Sequence, residues 1–155
     1  MINDQNYWNE FYKANSIVHE PSSFARHVED NYFESGKSLL ELGCGNGRDA
    51  IFFAEKGKKV SALDLSSETI LSLSSMSVKN AEFFNQDFSQ LSNFRDFDYV
   101  YSRFTLHSID DKTEQVVLQQ LPKVLKSGGL FLLEARSLKD ENLAKTFGTG
   151  HFRRY

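Results

Sequence analysis

The sequence predicts an α/β domain built on a doubly wound, mostly parallel sheet, and three observations carry that expectation. Short apolar runs suited to buried strands alternate with stretches of helical periodicity. Helical stretches open at serine or aspartate, and one of them stops at Gly57. A glycine-rich segment, Gly43-Cys44-Gly45-Asn46-Gly47, follows directly on the first strand. The 155 residues amount to a single domain, and 40% hydrophobic with 25% charged residues is the balance of an ordinary globular chain. Two prolines argue against a linker-rich chain, and 14 phenylalanines supply a sizeable core.

The elements follow in order. Tyr7, Trp8, Phe11 and Tyr12 share one helical face, and Ser22-Ser23 after Pro21 reads as the cap of a second helix. That helix runs inward at Phe24, Val28 and Tyr32. Ser38–Leu42 is a buried strand ending at the glycine loop, and Asp49–Lys56 is a helix stopped by Gly57. Lys58–Leu63 is the second strand, ending at Asp64, and Ser66 caps a helix reaching about Met76. Ala81–Phe84 and Asp98–Ser102 are the third and fourth strands. A helix after Asp110-Asp111 turns Val117, Leu121, Val124 and Leu125 inward, and Pro122 is expected to kink it or start a new turn. Ser127-Gly128-Gly129 then turns into the most apolar strand, Leu130–Leu133.

Several function classes are excluded or disfavoured. A lone cysteine rules out a disulfide framework and multi-cysteine metal sites, and no metal is expected. No run approaches the roughly 20 apolar residues of a membrane span, and the polar start is no secretory signal, so the expected setting is the cytoplasm. A net charge of −3 gives no reason to expect nucleic acid. The charge is uneven: residues 136–155 hold five Lys/Arg against two acids, +3, which leaves −6 on residues 1–135. A basic cluster on an acidic domain suits a small anionic ligand better than a long polyanion.

Ligands of such sheets bind beyond the carboxyl ends of the strands, where the glycine loop lies. Glycines let the backbone pass close to a ligand, and the next helix presents its positive end. Asp64, 17 residues after Gly47, is placed to bind the two hydroxyls of a ribose. Dinucleotides and S-adenosylmethionine both use this geometry. The spacing G-x-G-x-G departs from the dinucleotide fingerprint G-x-G-x-x-G. Glu41, two places before Gly43, would oppose a pyrophosphate but suits a cationic sulfonium with its ammonium group.

Leu39-Leu40-Glu41-Leu42-Gly43-Cys44-Gly45-Asn46-Gly47 resembles motif I of class I S-adenosylmethionine-dependent methyltransferases. Asp64-Leu65-Ser66, Asn85-Gln86-Asp87-Phe88, Phe97-Asp98-Tyr99-Val100 and Leu125-Lys126-Ser127-Gly128-Gly129 match further elements in order, so the resemblance covers roughly 37–135. It implies a Rossmann-like fold and S-adenosyl-L-methionine as cofactor. It implies that Gly43, Cys44 and Gly45 line the methionine part, that Asp64 and Ser66 flank the ribose, and that Leu65 packs on the adenine. Asp87 would accept from the exocyclic amine, Phe88 would touch the ring edge, and Ser102 and Arg103 would lie near the methionine end. The implied division is a helical cap over 1–36, a cofactor-binding core over 37–136 and the start of an acceptor-side segment over 137–155. Cys44 by itself reads as a small packed residue rather than a nucleophile.

Tyr7-Trp8-Asn9-Glu10-Phe11-Tyr12, His19-Glu20-Pro21-Ser22, Gly47-Arg48-Asp49, Tyr101 to His107, Glu134-Ala135-Arg136-Ser137 and His151 to Tyr155 are similar to methyltransferase domains of bacterial surface-polysaccharide (capsule or O-antigen) biosynthesis. That resemblance implies an oxygen of a phosphate or phosphoramidate, glycan-linked or small, as acceptor. The chemistry agrees: a phosphate monoester already presents an anionic oxygen and needs cationic clamps, whereas a hydroxyl needs a base. Arg103, His107 and Arg136 follow the fourth and fifth strands as catalytic candidates, and His19, Arg136, His151, Arg153 and Arg154 as acceptor-binding candidates. Tyr12 is the candidate for a cation–π contact with the sulfonium. Five strands are counted where the resembled fold has seven, so the chain is expected to stop short of that fold, with an open edge at the fifth strand where a second copy could pair. A neutral small-molecule or sugar-hydroxyl acceptor, and a non-catalytic binding module, are the alternatives.

Overall fold

The computed structural model describes residues 20–137 together with Glu10 and Lys139. Five strands, β1 (Ser38–Leu42), β2 (Lys59–Asp64), β3 (Ala81–Asn85), β4 (Phe97–Arg103) and β5 (Leu125–Glu134), form one sheet in the order β3-β2-β1-β4-β5. Every neighbouring pair is parallel. Four helices among residues 20–137 pack on it: α1 (Ser23–Asn31), α2 (Arg48–Glu55), α3 (Ser67–Ser75) and α4 (Asp111–Val124). The order reverses between β1 and β4, the switch point beside which the crevice of such sheets lies, at the carboxyl ends of the strands.

Alternation along the strands divides the core between the two faces. Leu39, Val60, Ala62, Tyr99 and Tyr101 face α1, α2 and α3, meeting Ala25, Val28, Phe53, Ile70 and Leu73. Leu40, Leu42, Leu63 and Val100 face the other way, onto Val117, Leu121 and Val124 of α4. The first face is rich in aromatics: Phe24 stacks on Tyr101 at 5.3 Å and Phe33 on Tyr99 at 4.4 Å. The predicted helix caps form, with Ser22, Ser66 and Asp110 accepting from Ala25, Thr69 and Thr113 amides. The buried ammonium of Lys58 pairs with Glu29 and ties α1 to the entry of β2.

Three expectations are corrected. Tyr32 is 49% exposed, because α1 ends at Asn31 and the chain turns there, burying Phe33 in its place. Helix α4 runs through Pro122 to Val124. The proline lies in the last turn, where little helix remains to disrupt, and the amide of Leu125 closes the end on the Leu121 carbonyl. The turn at Ser127–Gly129 is a bulge within a longer fifth strand. Phe97 pairs with Leu125 and Tyr99 with Leu130, so β5 carries three extra residues there. Strand β5 lies at the sheet's edge, with Leu130 and Leu133 each 39% exposed. No described helix is long and apolar enough to cross a membrane. The face at Tyr7–Tyr12 lies outside the described residues, as do His19, His151, Arg153 and Arg154.

Candidate functional site

The glycine loop leaves β1 through left-handed backbone at Gly43 (φ 74°) and enters α2 through Gly47 (φ 77°). A β carbon at Gly43 would lie 2.5 Å from Thr105 Cγ2, so glycine is required for conformation and for space. Thr105 comes from the loop after β4, and its hydroxyl donates to the Leu42 carbonyl at 2.9 Å. The two loops bordering the crevice are thereby bolted together.

Asp64 organises this loop. Its Oδ2 accepts from the Gly45 amide at 2.8 Å and its Oδ1 from the Ser66 amide at 2.9 Å. One carboxylate thus fixes both the glycine loop and the start of α3, with a second lone pair left on each oxygen. Burial raises its pKa, opposed by these amide bonds. The side chain of Asn85 reaches across to the Asp64 and Leu65 carbonyls at 3.1 and 2.9 Å. Asp87 holds the next turn by accepting from the Ser89 amide at 2.8 Å, and Leu65 is half-buried nearby in sequence. Phe88 is a core residue, packed in the cluster of Leu63 and Leu91.

Glu41 is buried in β1, in register with Tyr101, and its Oε2 has no hydrogen-bond partner among the described residues. Burial pushes its carboxyl well above the ordinary range, and Asp49 and Asp64 push the same way. Ser102, fully buried at the end of β4, has an equally unpartnered hydroxyl. Cys44 is buried, and burial together with Asp64 and Glu41 raises its thiol pKa. It is a packed thiol, unsuited to nucleophilic attack.

Beneath the loop lies a buried network to which the sequence reading assigned no role. Asp49 Oδ1 accepts from the Ser22 amide at 2.8 Å, and Oδ2 from the Ser22 and Tyr101 hydroxyls at 2.7 and 2.8 Å. Helix α1 is thereby fastened to the first turn of α2 and to β4.

On the far side of the crevice, three candidate groups converge. Arg103 ends β4, and Arg136 follows β5 by two residues. Their guanidinium carbons lie 4.2 and 4.5 Å from the centre of one ring, that of Phe104. Each such cation–π contact is worth about 0.5–1 kcal/mol where solvent reaches it. The buried His107, on a 3₁₀ turn (Leu106–Ser108), stacks its ring on Phe104 at 5.6 Å. Glu134 holds Arg103 from the side, at 2.6 Å from Nε. Phe104 has φ 55°, a left-handed conformation that costs a bulky residue roughly 1–3 kcal/mol. No sequence signal marked it. Arg103, His107 and Arg136 are brought together as expected of strand-end residues, and no group of three or more His, Cys, Asp or Glu among the described residues could hold a metal ion.

A model of the methyltransferase domain matches residues 39–129, more than half of the chain. The chain belongs to the methyltransferase domain family. An uncharacterized methyltransferase of Schizosaccharomyces pombe is 30% identical over 114 residues, 69% of this chain and 79% of that protein. A protein of Geobacillus sp. (strain WCH70), named only provisionally as a methyltransferase, is 26% identical over 138 residues, 84% of this chain and 56% of its own length. Among solved structures, the glycopeptide N-methyltransferase MtfA complexed with S-adenosyl-L-methionine superposes with a TM-score of 0.70 at 21% identity. It covers 79% of this chain and 57% of that one, a likeness of fold. The methyltransferase domain described here thus spans little more than half the length of some of the proteins it matches.

Proposed function

We propose that this domain binds S-adenosyl-L-methionine at the glycine loop and serves methyl transfer to an oxygen of an anionic acceptor, a phosphate or phosphoramidate that is glycan-linked or small. The residues present fit the cofactor. Gly43 and Gly45 turn the loop through left-handed backbone (φ 74° and 53°), and among the described residues buried Glu41 and Ser102 carry polar atoms without hydrogen-bond partners toward the ends of β1 and β4. Asp64 keeps lone pairs for ribose hydroxyls, with Leu65 and Asp87 beyond it for the adenine. When bound, the cofactor supplies an electrophilic methyl carbon on a sulfonium.

The chain's own residues have three tasks. Glu41 offers its carboxyl to the ligand's cationic end, where a bound cation favours the ionised form that burial opposes, and Asp64 and the loop amides fix its register. Holding donor and acceptor in line supplies up to about 7–11 kcal/mol, so positioning is the main contribution. Arg103 and Arg136 clamp the acceptor. An anionic phosphate oxygen attacks carbon without losing a proton, so no general base is needed. The observation that carries this reading is the pair of guanidiniums gathered on Phe104 at the crevice edge. A neutral small-molecule acceptor is the second reading, favoured by His107 in the same stack, where a base could take a hydroxyl proton.

Thermal unfolding with S-adenosylhomocysteine, and NAD in parallel, tests the cofactor. At 100 times the dissociation constant a ligand adds about 2.7 kcal/mol, roughly 5–10 °C here. The expected result is a shift with S-adenosylhomocysteine alone that is lost in Asp64→Ala; a shift with NAD alone would overturn it. Methyl transfer from labelled cofactor by the full-length protein then decides the acceptor. Methylation of phosphate esters but not of neutral glycosides is expected, and the opposite preference, or binding without any product, refutes the anionic reading.

A further inference from the structure

The ring on which Arg103 and Arg136 gather is kept in place at a cost to the fold. Alternation along β4 would send the side chains of residues 103 and 104 to opposite faces. The left-handed turn at Phe104 instead sets its ring against the guanidinium of its own neighbour, 4.2 Å away. The Phe104 amide donates to the Glu134 carbonyl at 2.9 Å, so the end of β5 holds the strained residue in place. Two residues further on, Arg136 reaches the same ring. The two guanidiniums carry like charge, and a neutral π face that attracts each of them is a means of holding both at one place. Glu134 approaches Arg103 at Nε, 2.6 Å away, on the stem side of the guanidinium rather than at its terminal amino edge. A guanidinium edge is a planar fork that matches two oxygens of one tetrahedral anion.

We infer that Phe104 is the specificity-determining residue of the acceptor side: its ring spaces Arg103 and Arg136 as a matched pair of forks for one phosphate or phosphoramidate group. The inference rests on the anionic-acceptor reading. Phe104 is a positioning residue in this scheme, acting on the acceptor through the two arginines. A neutral hydroxyl gains nothing from two clamped cations, so the ring selects for charge.

The test follows the arginine Nε–H resonances of the 155-residue chain by NMR, titrating inorganic phosphate and, separately, methyl glucoside, with S-adenosylhomocysteine present. Phosphate is expected to move the Arg103 and Arg136 signals and the glucoside to leave them unchanged. Phe104→Leu should weaken phosphate binding about fivefold or more, Phe104→Tyr should retain it, and both should bind S-adenosylhomocysteine as the parent does. If Phe104→Leu binds phosphate as tightly as the parent, the inference fails while the anionic reading stands. If phosphate moves neither arginine in the parent, the anionic reading fails and the inference with it. A Phe104→Leu chain that also loses S-adenosylhomocysteine would show a merely structural role and overturn the inference.

Discussion

On the β1–β2 side of the crevice, the Gly43–Gly47 loop is held by short polar contacts in which backbone predominates. Cys44 donates to the Leu63 carbonyl, Gly45 to Asp64, and Thr105 closes on the Leu42 carbonyl, all within 2.8–2.9 Å. On the β4–β5 side, long side chains hold one another: two guanidiniums and an imidazole against one phenyl ring, and Glu134 on Arg103. At the opposite end of the same pair of strands, Lys126 reaches Asp98 at 2.9 Å. A ligand shared by a whole family can be met by fixed backbone geometry. An acceptor that differs from one member to the next calls for side chains, which can be exchanged without disturbing the sheet.

The heaviest blow to the backbone-held side is Gly43→Ala. The new β carbon meets Thr105 Cγ2 at 2.5 Å on left-handed backbone, for a combined loss of roughly 2–4 kcal/mol. Melting curves should show a fall of about 5–15 °C and no response to S-adenosylhomocysteine. An unchanged melting point would mean that the loop is not held as described.

Glu41→Gln sharpens the comparison, because here stability and binding should move in opposite directions. The folded carboxyl has a pKa above its ordinary 4.5, so the fold holds that proton more tightly than the unfolded chain does. Its contribution is fully present below about pH 4.5 and is lost as pH rises toward the folded value. The amide should therefore raise the melting temperature at pH 7 by a few degrees and flatten its decline above pH 4.5, while shrinking the S-adenosylhomocysteine shift. A melting point lower at pH 7 than the parent's would contradict the buried charge.

The smallest effect belongs to the side-chain-held strands. Burial opposes the charge on Asp98, but the Ser38 amide and hydroxyl and Lys126 outweigh it and lower the pKa from 3.8 to about 2. That stability is present above pH 3.8 and lost as pH falls through about 2. Asp98→Asn should cost about 1 kcal/mol at pH 6, a few degrees, and only a small fraction of that at pH 2. A difference that persists in full at pH 2 would assign the effect to packing.

The same division explains what could be read from the sequence. Strands and helices were legible because their ends are written locally, in Ser22, Ser66, Asp110 and Gly57, and Asp64 was legible because a helix and a strand fix its distance from Gly47. Tyr32 and Phe33 were exchanged because a helix end shifted by one residue changes which side chain turns inward. The strand start at Leu125 was missed because the bulge glycines look like a turn. Asp49 finds Ser22 and Tyr101 at separations of 27 and 52 residues, which no local pattern encodes. Phe104 was invisible for a simpler reason: phenylalanine gives no hint of a positive φ.

That last residue also bears on how the domain can change over generations. The backbone at position 104 favours glycine or asparagine, and neither carries a ring on which Arg103 and Arg136 could rest. Neither of those two residues satisfies both demands. If the ring sets acceptor choice as proposed, selection for that choice retains it with its strain, and release from that selection favours glycine, so residue 104 would record what has been selected.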